Sequence, residues 1–523
     1  MPAVQAVDLQ SLPDDIPTLK TLVSQTFHEL TESQKLVAIL KEHVAYFKRQ
    51  AFGRKADDWS RDDELQSRLF DEAEEGAQER RQDIQARVEV GAHERRKRGR
   101  RPIPDWIPRV EVVHDISEAE KVCGCGATLV KIGEESHTVM DIVPAKIQAI
   151  RHVRPKYACQ ACEGAESEGP AVRIAPPPPA MIPKSIASEG LLAHVLTSKF
   201  CDALPFYRQQ RMLERIKVDI PRSTMCHWAL QVARRCEGLL EQLRQQIRGS
   251  DYVNIDETPL QVLDEPGRDA TTKSSMWVFV GGRPEARMIE FRYHPTRSGT
   301  VPMQYLGQSY QGRVQTDGYI GYEELGRRPG IEHLGCWAHV RRKFVDVTKA
   351  SSKAASAFEA LKYIRELYKI ESIADQQALD AEGRTALRQA EAKPLLEKFH
   401  AWLEKRVDQV PPSALLGKAI DYAWKQWPRL LVYLEDGHLA PDNNVAENAI
   451  RPFVVGRRNW LFSHNPAGAA ASAALYSLIS TARANKVEPY QYLRALFERL
   501  PRLGHDPDPE SLRNLLPRFI RLQ

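Results

Sequence analysis

Leu19, Val23, Thr26, Leu30, Ser33, Val37, Leu40, Val44 and Phe47 recur at alternating spacings of four and three, and seven of the nine are apolar. A seam of this period held over about four heptads predicts a long helix that self-associates as a coiled coil. The alternative is an amphipathic helix packed on its own domain. From Asp57 to Glu79 the chain is acidic and polar, which reads as a solvated helix or linker. Much farther on the period becomes two. Val253 and Ile255 alternate with polar residues, predicting a strand over Tyr252 to Pro259 with Asp256 near its end. Met276 to Val280 and Arg287 to Tyr293 predict two further strands joined by a turn at Gly281 to Pro284, completing an antiparallel meander. A short helix follows around Thr300 to Leu306, then a strand at Gly312 to Thr316, then a fifth strand from Ile331 that runs into a helix by His339.

This order of elements, β-β-β-α-β-α-β-α, predicts an α/β fold with a ribonuclease H-like core on a mixed five-stranded sheet. Between His339 and Pro441 the chain is helical, with Trp402, Trp424 and Trp427 available for a core, and reads as an insertion at about 340–435. After it, Asn443 or Asn444 is placed to cap a helix that turns Glu447 inward. Asp256 and Asp317, at the ends of the first and fourth strands, would then converge with Glu447. Carboxylates gathered at strand ends suit hard divalent cations, and a pair of such ions serves phosphodiester chemistry. Arg451, Arg457 and Arg458 follow closely, as a bound phosphate backbone needs.

Composition narrows the class. The 523 residues are 42% hydrophobic and 27% charged, a globular balance. The net charge of +5 is too small to mark a nucleic-acid binder, so its distribution matters. Residues 1–90 carry 12 basic and 18 acidic side chains, whereas 448–523 carry 11 basic and 5 acidic. The run His93 to Pro102 holds six basic residues and one acidic one, ending in Arg98-Gly99-Arg100-Arg101-Pro102. It reads either as an A·T minor-groove arm or as a basic linker touching phosphates, and both point to nucleic acid. No stretch of 18 apolar residues is present, so no membrane span is expected. The absence of a basic n-region and apolar core predicts a cytoplasmic, reducing context.

Two cysteine pairs stand out, Cys123-Gly124-Cys125 and Cys159-Gln160-Ala161-Cys162, separated by strand-like runs. In a reducing compartment they predict a closed four-cysteine zinc site in a ribbon-like domain, although Cys-x-Cys is tighter than the usual spacing. Cys159→Ser with Cys162→Ser is expected to lose this zinc, as read by elemental analysis of the purified protein. Cys201, Cys226, Cys236 and Cys336 are scattered and read as core residues. Four prolines at Pro176 to Pro179 mark a stiff spacer. Beyond it a helix ending at Ile216, a turn at Lys217 to Pro221 and a second helix capped by Ser223 match a helix-turn-helix in outline, and a plain helical hairpin fits as well.

Together these stretches resemble the large transposase subunit of the insertion sequence 66 family. The resemblance spans nearly the whole chain. It is carried by Phe52-Gly53-Arg54-Lys55, Arg98 to Pro104, the cysteine pairs, Asp256-Glu257-Thr258-Pro259, Thr316-Asp317-Gly318-Tyr319, Cys336-Trp337-Ala338-His339-Val340-Arg341-Arg342, Asn443 to Glu447 and Gly456 to Phe462. It implies a zinc-binding domain, a DDE-type catalytic domain and a small C-terminal domain, with Asp256, Asp317 and Glu447 as the metal-binding triad. The Cys336 and His339 pair resembles a feature of DDE enzymes with helical insertions; its role is either metal binding or a hydrogen bond that fixes the insertion to the sheet, and with only two ligands the structural reading is favoured.

The expected organisation is a coiled-coil segment at 1–90, a basic linker at 91–110, a zinc-binding domain at 111–175, a helical DNA-binding region at 181–248, a catalytic domain at 249–465 and a C-terminal helical domain at 466–523. The expected activity is DNA transposition by two-metal phosphoryl transfer, with Mg2+ or Mn2+ at the triad and Zn2+ at Cys123, Cys125, Cys159 and Cys162. Arg98, Arg100, Arg101, Arg451, Arg457 and Arg458 would contact double-stranded DNA at the element ends and the target. A homo-oligomer and small accessory proteins of the same element are the expected partners. A non-catalytic, zinc-dependent DNA-binding regulator is the alternative.

Overall fold

The computed structural model describes residues 15–52, 147–158, 172–350 and 354–521. Helix α1 spans Ile16–Phe52. Asp15 caps it, its carboxylate accepting from Thr18 N–H at 2.9 Å. Val23, Leu30, Val37, Leu40, Val44 and Phe47 of the heptad seam are all exposed. Aspartates at Leu30, Val37 and Leu40 would place charge in a self-associating seam, a cost of several kcal/mol. Light scattering is expected to show a smaller oligomer for that triple variant, and an unchanged size would dismiss the seam as an interface.

One compact unit comprises 87–178, of which a two-stranded antiparallel ribbon is described: β1 at Lys156–Ala158 and β2 at Val172–Ile174. Cys123, Cys125, Cys159, Cys162, Arg98, Arg100 and Arg101 lie outside the described residues.

The other unit contains the remaining elements. Helices α2 (Glu189–Phe200), α3 (Phe206–Arg215), α4 (Arg222–Arg235) and α5 (Glu237–Arg248) lead into the sheet. The turn between α3 and α4 falls where the sequence predicts it, but Ser223 is not the cap. Helix α4 starts two residues earlier than a Ser223 cap would set it, after Pro221, and the Arg222 N–H goes to Gln210 Oε1 of α3 at 3.0 Å. A neighbouring helix thus satisfies a donor that a hydroxyl would otherwise take. Of the scattered cysteines, Cys236 and Cys336 are buried and Cys201 is half-buried, whereas Cys226 is exposed.

The sheet holds β3 (Tyr252–Gln261), β4 (Lys273–Gly281), β5 (Met288–His294), β6 (Gly312–Gln315) and β7 (Ile331–Leu334), in the order β5-β4-β3-β6-β7. Strands β3, β4 and β5 pair antiparallel, and β6 and β7 continue the sheet parallel to β3. Helix α6 (Thr300–Leu306) crosses from β5 to β6, and α7 (Glu323–Arg327) precedes β7. Strand β3 runs well past Asp256, which therefore lies mid-strand instead of near the end. Strand β6 stops at Gln315, leaving Asp317 in the loop beyond it.

Among the described residues, five α-helices form the insertion: α8 (Trp337–Ala350), α9 (Ala355–Gln376), α10 (Ala381–Leu387), α11 (Lys393–Val407) and α12 (Leu415–Leu431). They have their own core, in which Trp337, Phe344, Phe399 and Trp427 are buried while Trp402 and Trp424 pack at its margin. The chain returns to the sheet as α13 (Asn444–Trp460), followed by α14 (Pro466–Ala484), α15 (Pro489–Arg499) and α16 (Pro509–Arg513).

Residues 466–523, expected as a domain of their own, share the sheet's core. Helix α14 covers the β5 edge. Ser477 Oγ accepts from Phe291 N–H at 2.7 Å and Thr481 Oγ1 from Ile289 N–H at 3.0 Å. An i,i+4 pair of hydroxyls in an alanine-rich helix thus satisfies edge donors that would otherwise recruit another strand.

Candidate active site

Parity along β3 decides which side chains can meet. Asn254, Asp256 and Thr258 share one face, and Glu257 takes the other. The β3–β6 register pairs Tyr252 with Arg313 and Asn254 with Gln315. Continued by two residues, the same offset aligns Asp256 with Asp317. Helix α13 lies on this face, since Phe453 packs on Phe291, whose register runs through Val278 to Asp256.

An amide cluster sets where α13 begins. Asn254 Nδ2 donates to Gln315 Oε1 at 3.0 Å and to Asn443 Oδ1 at 3.1 Å. Asn443 Nδ2 donates to Ile255 O at 2.9 Å, and its backbone N–H to Cys336 Sγ at 3.2 Å. Asn443 occupies the N-cap position without a side-chain capping bond, because its amide is spent on β3. The result ties β3, β6, α13 and the start of α8 together directly beneath Asp256. Glu447 stands one helical turn beyond Asn443.

Burial dominates the electrostatics. It pushes the Asp256 carboxyl well above its usual range, and negative charge from Glu257, Glu447 and Asp317 adds to the rise. Burial also raises Asp317, opposed by the Tyr319 N–H, Arg297, Arg342 and Lys343. The Tyr319 N–H donates to Asp317 Oδ1 at 2.9 Å. Gly318 is pressed against the insertion, where its N–H donates to Tyr422 Oη at 3.0 Å and a Cβ would meet that hydroxyl at 2.4 Å and the ring at 2.5 Å. On Glu447, Oε1 lies 3.5 Å from His339 Nδ1 and Oε2 lies 4.0 Å from Arg342. Burial, with Arg342 and Lys343, lowers His339 to about 3, so its ring is neutral.

The other carboxylates nearby are engaged elsewhere. Glu257 binds the Tyr322 hydroxyl and Arg297. Glu332 pairs with Arg313 at 2.8 Å. Among the predicted DNA contacts, Arg458 is exposed, Arg451 is half-buried, and Arg457 reaches back to Thr258 Oγ1 at 3.0 Å. Arg457 therefore fastens α13 to β3.

Sequence reasoning missed Asn254, Gln315, Arg297 and Tyr422. Asn254 carried a signal: a polar residue between Val253 and Ile255, two positions from Asp256, shares its face. Nothing local marked Tyr422, which arrives from the insertion.

The transposase IS66 family model matches residues 184–471, more than half of the chain. The chain belongs to this transposase family. The zinc-finger binding domain of transposase IS66 matches 120–163, a span containing all four paired cysteines. A model described as transposase C of IS166 homeodomain matches 39–112, and the IS66 C-terminal element matches 477–517. Similar proteins of Sinorhizobium fredii include the uncharacterized protein y4jD, 30% identical across 94% of this chain and 96% of that protein. The uncharacterized protein y4qI is 28% identical across 94% of each. The chain is thus a transposase, of a DNA-cleaving enzyme class, with a zinc-finger domain. Among the described residues no helix is long and apolar enough to cross a membrane.

Proposed function

We propose that this transposase cuts and joins DNA strands at the ends of its insertion sequence, using Asp256, Asp317 and Glu447 on a ribonuclease H-like core. The observation that carries the reading is the placement of Asp256 in register with Asp317 and under the helix that carries Glu447, where burial and then the neighbouring charges of Glu257, Glu447 and Asp317 raise the Asp256 carboxyl. Buried acids that repel one another are a donor set short of positive charge, and oxygen ligands fit hard ions such as Mg2+ or Mn2+. The strand order, with three antiparallel strands followed by two parallel ones, supports the fold assignment. When bound, such ions activate a hydroxyl nucleophile and stabilise the leaving oxygen.

The chain's own residues do the positioning. The amide cluster holds Glu447 toward the sheet, the Tyr319 N–H orients Asp317, and Arg342, Lys343 and Arg458 offer positive charge to a phosphate backbone. Water would attack at the element end, and the released 3′-hydroxyl would then attack target DNA. Zinc at Cys123, Cys125, Cys159 and Cys162 would hold the finger, and Arg98, Arg100 and Arg101 would add backbone or minor-groove contacts. Pairing two element ends calls for at least two active sites, in keeping with the uncovered α1 seam. Small proteins encoded beside the transposase would be further partners.

The test is strand cleavage of DNA carrying the element's own ends, with and without Mg2+. Metal-dependent nicking at those ends is expected. Binding without cutting would instead identify a regulator.

A further inference from the structure

We infer that Cys336, His339 and Glu447 form a second metal site, suited to zinc or another borderline-soft divalent cation and not to magnesium. Their donor atoms all lie within 4.8 Å of one another. Cys336 follows β7 directly, and His339 lies in the first turn of α8. Their i,i+3 spacing turns both toward one side. Glu447 enters from the first turn of α13.

The spacing fits. Bonds of about 2.0–2.3 Å in a tetrahedral shell set donors roughly 3.3–3.8 Å apart. His339 Nδ1 and Glu447 Oε1, at 3.5 Å, already have that separation. His339 Nδ1 is buried and has no hydrogen-bond partner. Such an orphan needs an explanation, and a bound cation supplies one.

Cys336 is 2% exposed and stands at the N-terminus of a 14-residue helix, where burial and the charges of Glu447 and Asp442 push its thiol well above the usual value and a bound cation would be needed to hold it as thiolate. Its sulfur already accepts the Asn443 N–H, the outer-shell bond that orients and tunes a metal-bound thiolate. His339 Nε2 accepts from Arg342 at 3.3 Å, which without a cation puts the ring proton on Nδ1 facing Glu447; a cation would take the place of that proton and draw Nδ1 and Glu447 Oε1 into one shell. Thiolate and imidazole select zinc-like ions over magnesium, and three protein ligands leave a fourth position for water or a phosphate oxygen.

One consequence rests on the proposed function. Glu447 belongs to both donor sets, so zinc held by Cys336 and His339 would keep a Glu447 oxygen from the aspartates. Zinc should then oppose magnesium-supported cleavage.

The test counts zinc in the full-length chain after loading with Zn2+ and dialysis. Cys336→Ser and His339→Gln are each expected to hold about one zinc fewer than wild type, and Asp256→Asn the same number as wild type. Circular dichroism checks that each variant is folded, and either folded variant suffices. Wild-type zinc content in a folded Cys336→Ser or His339→Gln chain overturns the site. So does a zinc lost from Asp256→Asn, which would put the ion among the carboxylates. In cleavage assays at fixed Mg2+, inhibition by added Zn2+ should need at least tenfold more zinc in His339→Gln. Normal zinc counts with no DNA cutting by wild type would sink the catalytic reading and leave this site standing.

Discussion

Asp256→Asn is expected to abolish strand cleavage and strand transfer together while leaving the chain folded and, without divalent metal, more stable than wild type. The exchange keeps the shape and the acceptor oxygen that receives the Glu257 N–H at 2.9 Å. It removes one charge from a buried cluster in which Glu257, Glu447 and Asp317 already push the Asp256 carboxyl upward. An acid whose folded pKa lies above its unfolded value near 3.8 binds protons more tightly when folded. Its contribution to stability is complete below that value and declines as pH rises through the folded pKa. At neutral pH wild type bears this penalty and the Asn variant does not, so the gap between them should close as pH falls toward 4. Added Mg2+ should stabilise wild type and leave Asp256→Asn nearly unmoved. Cleavage should drop at least about a thousandfold, or roughly 4 kcal/mol of barrier, because a charged ligand is lost. Melting curves in chelator across pH, beside a nicking assay, measure both halves. A variant that cuts normally would remove Asp256 from the chemistry. One that melts lower at pH 7 would show that the carboxylates are not in conflict.

The sheet was legible because Val253 and Ile255 alternate with polar residues in β3 and because β4 is a short apolar run bounded by turn residues. The predicted meander, the helix at Thr300 to Leu306 and the strands at Gly312 and Ile331 all occur within a few residues of their expected limits. Period-two patterning and turn residues act locally, so one sequence suffices to read them. Asp256, Asp317 and Glu447 could be named from the same local signals. What holds them could not, because it is non-local. Asn443 looked like a cap, and its amide instead reaches Asn254 and Ile255, 189 and 188 residues away in sequence. Arg457 was named only for DNA, and its bond to Thr258, 199 residues away, went unforeseen. The C-terminal segment looked like a separate domain because no sequence period reveals that Ser477 and Thr481 satisfy a strand edge. Each miss is a polar side chain whose partner is chosen by tertiary packing, whereas helix caps and turns find partners within a few residues.

Arg388 is the extreme of that class, and Arg388→Met is expected to cost about 3–5 kcal/mol of stability in the insertion. The side chain is 1% exposed. All five guanidinium protons are used. Nε and one Nη pair with both oxygens of Glu371 at 2.7 and 2.8 Å. The remaining donors go to the carbonyls of Tyr433, Asp436 and Leu439 at 2.7–2.9 Å. A π-helical turn at Arg388–Ala392, on the way into α11, accompanies this arrangement. The three carbonyls belong to the segment that leads from α12 to Pro441 and Asn443, so the bonds also fix the approach to Glu447. Methionine fills the volume but removes the donor from the Tyr433 and Leu439 carbonyls, leaves Asp436 O with the Leu439 N–H at 3.1 Å, and leaves Glu371 with Arg384 at 2.9 Å. Lysine keeps the charge with fewer donors and no fork, so Arg388→Lys should fall between methionine and wild type. Hydrogen exchange resolved over α9 to α12 is the suitable measurement, since a chain of two units need not unfold in one step. Faster exchange there, with cleavage reduced although every carboxylate remains, is the expected pattern. Removing Glu371 as well separates the causes. If Glu371→Leu with Arg388→Met regains most of the protection, the unpaired charge was the main cost. If it regains none, the carbonyl bonds dominate, and Arg388 acts chiefly as a clamp on the segment that delivers Glu447.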